Sequence, residues 1–203
     1  THSALSRLEE TSADLAPHVS AWLAALSAEP ARHARFLNTL SLLEHIGSRK
    51  IMASQGEPHQ ETLKHLAEET RHAFFFKRAA EKLARHGVDY GQAHTLAGMS
   101  GREYMGRLDA HIAQALPADA ARDADYLYMS LIVELRAIWF YRLYQEALTA
   151  RGGKMSLKSV LAEEELHLDE MLIRLDEIEP RRDARVDAFM VYEDERFRIL
   201  WDA

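Results

Sequence analysis

The sequence contains no cysteine. This excludes disulfides, cysteine-based zinc sites, iron–sulfur clusters and a cysteine nucleophile. Sustained strand-like alternation of β-branched residues is also missing, so a sheet protein is not expected. No apolar run reaches the ~18 residues of a membrane span, because Glu134, Arg136 and Arg142 break the longest candidates. Residues 1–14 lack the basic-then-apolar order of a signal peptide. A cytoplasmic location without membrane association is the default expectation. A formal net charge of -7 argues against a nucleic-acid partner, which needs a basic surface. Arg181, Arg182 and Arg185 form one small candidate basic patch.

Glycine (9) and proline (5) are scarce among 203 residues, so each can be read as punctuation. The chain is rich in Ala, Leu, Glu and Arg, all of which favour helix. Its length suits a single domain, residues 1–203, with a sizeable core. Pro30 marks the first turn of a helix over about 30–53. Gly56, Glu57 and Pro58 mark a turn, and Pro58 opens a second helix that runs to about His86 and stops at Gly87. A shorter helical stretch over 92–116 follows. Pro117 and Asp119 mark a fresh start before a long helix ending near Ala150. Gly152 and Gly153 make the next turn, and a fourth long helix covers about 155–178, before Pro180. A terminal helix over 182–201 carries Val186, Phe189, Met190 and Phe197 at helical spacing, and another helix is expected over 19–26. The result is two helical hairpins separated by a long helical crossover, with extra terminal helices.

Six residues stand out against this background. Glu44 is the only acid between Pro30 and Gly56, among Leu37, Leu40, Leu43, Ile46 and Ile51. Glu134 is the only acid in the largely apolar run 126–141. A lone carboxylate on a buried helix face is costly unless it is paired, hydrogen-bonded or metal-bound. Glu134 could instead face solvent beside Arg136. Two further helices carry Glu-x-x-His, as Glu69 with His72 and Glu164 with His167. Residues three apart share a helix face, so both side chains can reach one ion. That tripeptide spacing is a weak signal alone.

The spacing between helices strengthens it. The midpoint between Glu44 and the Glu69/His72 pair falls on the turn at Gly56–Pro58. The midpoint between Glu134 and the Glu164/His167 pair falls beside Gly152. In an antiparallel hairpin, residues equidistant from the turn lie at one height. Both hairpins therefore carry their candidate ligands ~20 Å from the turn at helical rise. Four carboxylates with two neutral imidazoles balance two divalent ions, and this donor mixture suits iron or manganese.

One Glu on each of two helices, with Glu-x-x-His on the other two, resembles the ferritin-like di-iron carboxylate superfamily. The resemblance spans residues 30–178 and keeps the ligand order Glu44, Glu69, His72, Glu134, Glu164, His167. It implies an all-α, ferritin-like four-helix bundle holding two Fe ions, with Mn/Fe or Mn as variants. Glu69 and Glu164 would bridge the ions, and each His would cap one. It also implies an oxidoreductase using O2 as co-substrate, with an external electron donor and a homodimer as compatible partners.

No subfamily pattern fits. A haem-ligating Met would replace Thr70, and a rubrerythrin Glu would replace Ala137. A radical Tyr would stand at Phe76, and the extra His of N-oxygenases at Val160.

Three functions follow as expectations. The first is a di-iron oxidase or oxygenase acting on a small apolar molecule. The second is a ferroxidase, iron-handling or peroxide-reducing protein. The third is a structural helical bundle for interaction. Phe74, Phe75, Phe76, Leu131, Ile138, Trp139, Tyr141 and Met171 are candidate neighbours of the site, or simply core. Tyr141 could hydrogen-bond near the site or donate an electron. Among the other histidines, His45 points about a quarter-turn away from Glu44, His65 could hydrogen-bond to a ligand, and His33, His86 and His111 read as surface residues. Glu68, Glu163 and Glu165 project to other faces.

Overall fold

A computed structural model describes residues 2–54, 59–121, 123–179 and 182–203. The described residues form eight α-helices and no strand. In chain order these are α1 (His2–Thr11), α2 (Ala16–Ser27), α3 (Pro30–Ser54), α4 (Gln60–Ala84), α5 (Gly98–Ala115), α6 (Ala124–Ala150), α7 (Lys158–Ile178) and α8 (Asp183–Trp201). No described helix is long and apolar enough to cross a membrane. The chain divides into two compact units. One comprises Thr1–Ala25 and His111–Arg196, the other Leu26–Ala110 and Phe197–Ala203. The turn expected at Gly56–Pro58, with Pro58 as helix opener, lies outside the described residues, as do Pro180 and Arg181.

In the second unit α3 packs along α4. Leu37 and Ile51 on α3 and Phe76 and Ala80 on α4 supply its apolar seam. Two polar contacts fix the register: the Ser41 hydroxyl donates to the Ala73 carbonyl (2.6 Å), and Lys77 Nζ donates to Asn38 Oδ1 (3.0 Å). Pairing 38 with 77 and 41 with 73 makes the hairpin antiparallel.

The segment after α4 departs from expectation. The left-handed residue that closes the helix is Arg85 (φ 63), not Gly87, and its N–H donates to the Glu81 carbonyl. Helix resumes only at Gly98 rather than near Gln92. The reason is the polar edge of α3, which captures the intervening backbone. Arg35 donates to the Thr95 carbonyl (2.7 Å), and Asn38 donates to the carbonyls of Asp89 and His94 (2.6 and 2.8 Å). The Leu96 N–H donates to Thr39 Oγ1 (2.9 Å). Backbone groups satisfied this way need no helical partners. Gly98 is required where the chain turns into α5, because a Cβ there would stand 2.3 Å from Thr95 Oγ1.

In the first unit α6 is the most buried element, with apolar residues all around its circumference. α7 and α1 both pack on it. α1 lies ahead of the helices expected from the sequence; Leu5 and Leu8 anchor it, and Arg7 pairs with Asp187 (2.9 Å). α6 begins at Ala124, later than the Pro117–Asp119 signal, because residues 117–120 close a turn of their own. The turn after α6 uses Gly152 at φ +65, which glycine adopts at little cost. α7 starts at Lys158 rather than Met155. The Gln145 carboxamide oxygen accepts the Leu157 N–H (2.6 Å) and holds the approach to the helix in a non-helical course. On α8, Val186, Phe189 and Met190 are buried as the spacing predicts. Arg182 pairs with Asp176 and Arg185 with Glu179, so these two do not present a free basic patch.

Arg136 does not face solvent beside Glu134; both are buried. Its guanidinium is buried and binds Glu193 through two nitrogens (2.9 and 2.7 Å), Asp194 (3.0 Å) and the Ser12 hydroxyl (2.8 Å). It also lies 5.0 Å over the Trp139 ring. Removing one partner of a buried charged network leaves the others uncompensated. Arg136→Met is therefore expected to destabilise the protein by about 3–5 kcal/mol in urea unfolding. A loss below ~1 kcal/mol would show that the network is dispensable.

Candidate metal centre

The α3–α4 register carries Glu44 to the height of Glu69 and His72. Gly47, one turn beyond Glu44, lies beside the Glu69 carboxylate. A Cβ there would lie 3.4 Å from Glu69 Oε2. Glu44, Glu69 and His72 all face inward, and their nearest ligand atoms lie within 4.8 Å of one another. His72 Nδ1 is 3.7 Å from Glu69 Oε1. His65, one turn before Glu69, is also buried, with Nε2 3.6 Å from the same oxygen. Burial alone would raise the Glu69 carboxyl, but the imidazoles of His65 and His72 outweigh it and hold the group below its ordinary value.

In the other unit, α6 and α7 place Glu134, Glu164 and His167 together. His167 Nδ1 stands 3.1 Å from Glu164 Oε2 and 3.7 Å from Glu134 Oε1. Glu134 is 4% exposed, so the alternative reading of a solvent-facing residue does not hold. All six ligand-type residues singled out in the sequence are at most 8% exposed. Glu165 is exposed and pairs with Arg142, and Glu68 and Glu163 are half-buried, which agrees with their projecting away.

Each unit thus holds a buried group of two carboxylates and one imidazole, and the first-named group has His65 beside it. Carboxylate and imidazole donors at this spacing could hold a metal ion. A bound cation would also offset the desolvation of charges that helix interiors otherwise disfavour.

Several expected neighbours turn out differently. Phe74 is 62% exposed and lies beside Arg78, so it does not line an apolar pocket. Phe76, Leu131, Ile138, Trp139, Tyr141 and Met171 are buried. His33 is buried rather than on the surface, and His111 stacks on Tyr192 with ring centroids 3.7 Å apart. Two further residues stand beside the candidate site, His65 and Gly47. His65 was legible from its position four residues before Glu69. Gly47 was legible only as an unexplained glycine inside a long helix.

Comparisons with family models, with curated proteins and with solved structures found no match. Fold and site together define an all-helical protein with buried Glu/His groups able to bind a metal.

The Gly47 position yields a graded test. Its 3.4 Å clearance admits a methyl group, so Gly47→Ala should raise stability by up to ~1 kcal/mol through helix propensity. Gly47→Leu should overfill the space beside Glu69 and cost about 1–3 kcal/mol. Equal stability of the two variants in thermal unfolding would show that this space is not constrained.

Proposed function

We propose that the protein is a ferritin-like di-iron oxidoreductase that uses O2 to oxidise or oxygenate a small apolar organic molecule. The observation that carries this reading is the burial of one Glu and one Glu-x-x-His pair in each hairpin. Six ionisable side chains with no apolar substitute among them are an expensive way to fill a helical core. They are well suited to holding two divalent ions. Glu44, Glu69, His72, Glu134, Glu164 and His167 would hold them. When bound, two ferrous ions supply electrons and open coordination positions for O2 reduction.

The chain's own residues set the conditions. Four carboxylates balance the charge of two divalent ions and leave the imidazoles neutral. Each imidazole turns Nδ1 toward the carboxylate three residues before it (3.7 and 3.1 Å), so each Glu-x-x-His pair presents a nitrogen and an oxygen on one side. Apolar side chains one turn away exclude water. Phe76 follows His72 and Met171 follows His167, while Leu131 and Ile138 bracket Glu134 on α6; all four are buried. A dry, apolar surround protects an oxidant from water and favours an apolar substrate over a charged one.

Protein from iron-supplemented cells should carry about two irons per chain. After anaerobic Fe(II) loading, an O2 pulse followed by stopped-flow absorbance and an oxygen electrode should show rapid O2 consumption. Glu134→Ala and His167→Ala should lose most of the bound iron while retaining helical circular dichroism. Wild type that binds no metal, or loads iron and leaves O2 untouched, would overturn the proposal.

Metal dependence of stability gives a second check. A ligand that binds only the folded state at ~100 times its dissociation constant adds about 2.7 kcal/mol. Chelation should therefore lower the melting temperature of wild type. Glu44→Gln should melt at the same temperature with and without chelator. Equal chelator sensitivity of both proteins would remove Glu44 from the ligand set.

A further inference from the structure

α4 carries more donor groups than the Glu-x-x-His pattern requires. His65, Glu69 and His72 stand at i, i+4 and i+7, on one stripe of the helix, and all three are buried. Lys64 and Glu68, beside two of them in sequence, are exposed and half-buried and approach one another instead. The inward stripe is thus polar at three successive turns, in a helix whose other buried residues include Phe76 and Ala80.

The two imidazoles approach Glu69 by different edges. Helical side chains lean toward the N-terminus. His72 follows Glu69 and leans back over it, so its nearer ring nitrogen, Nδ1, meets Oε1 at 3.7 Å. His65 precedes Glu69 and leans away, so only its far nitrogen, Nε2, reaches that oxygen, at 3.6 Å. Both separations are longer than a normal N–H···O hydrogen bond. They match two donors on a common ion: atoms each ~2.1 Å from a metal, at angles near 120°, lie ~3.6 Å apart. α7 has no counterpart, since the position four residues before Glu164 is the buried, apolar Val160.

We propose that His65 is a seventh metal ligand, binding one of the two ions through Nε2. This rests on the dimetal reading above and extends it. The donor set becomes four carboxylates and three imidazoles. The two ions become inequivalent, one having an additional nitrogen donor from α4. The two should then load with different affinities, and the nitrogen-richer position should favour the metal later in the divalent series.

The test uses Zn(II) as a diamagnetic probe in the full chain with 15N-labelled histidine. Ring-nitrogen NMR distinguishes a metal-bound nitrogen from a protonated one and identifies which of the two is bound. On addition of Zn(II), His65 should become bound at Nε2 with its proton on Nδ1. His72 and His167 should become bound at Nδ1 with their protons on Nε2. Signals are assigned in the wild-type protein, so the result does not depend on any variant folding. His65→Gln should remove only the Nε2-bound signal, and should weaken one of the two zinc affinities by roughly tenfold or more in chelator competition. If His72 and His167 become metal-bound while His65 does not, the seventh ligand is wrong and the dimetal centre stands. If no histidine becomes metal-bound, both readings fall.

Discussion

Glutamate in a helical core carries a desolvation cost that apolar packing cannot return. This protein accepts that cost at Glu44, Glu69, Glu134 and Glu164, each set close to an imidazole in its own unit or in contact with one. The surrounding choices follow from this constraint. Antiparallel pairing of α3 with α4 has to bring position 44 to the height of 69 and 72, and the Ser41–Ala73 and Asn38–Lys77 contacts set that register. A one-residue slip would rotate these carboxylates and imidazoles off the inward stripe. A side chain longer than a methyl at position 47 would press on the Glu69 carboxylate, from which a Cβ there would stand 3.4 Å.

The second demand is on rigidity. Side-chain positions on helices are only as well defined as the packing of those helices. In the unit built on α6, Arg136 binds Glu193 and Asp194 of α8 and Ser12 at the end of α1, around the helix that carries Glu134. A fully hydrogen-bonded charged network of this kind orients its helices more narrowly than apolar contact does. In the other unit, Arg35, Asn38 and Thr39 perform a similar task by holding the backbone of residues 89–96 against α3. In both cases the polar side chains stand on helices that carry buried Glu/His residues and are committed to partners outside those groups.

Much of this was legible in the sequence. The four long helices follow from Pro30, Gly152 and the apolar periodicity. α3 and α6 end within one residue of their expected limits. Glu44 and Glu134 were conspicuous because a lone acid in an apolar run needs a reason. The departures from expectation each trace to a particular contact. Residues 92–97, 117–121 and 155–157 have helix-compatible composition, yet tertiary hydrogen bonds from Thr39 or Gln145, or a local turn at Pro117, take their backbone groups. Local propensity cannot register a partner that is distant along the chain. Phe74 and His33 were misplaced for a related reason. An aromatic triplet does not reveal which of its members faces out, and a histidine near a helix start does not reveal what covers it.

The sequence by itself determined the helical character of the chain, the approximate limits of its long helices, and the identity and order of six ligand-type residues. Those depend on composition, periodicity and spacing, which are local properties. Only the tertiary structure decided that Glu134 is buried while its neighbour Arg136 is committed to Glu193, that Phe74 faces solvent, and that His65 turns its far ring nitrogen toward Glu69. Burial and side-chain direction depend on which helices pack together and in what register. That choice is made by contacts between residues far apart in sequence, such as Ser41 with Ala73 and Arg136 with Ser12.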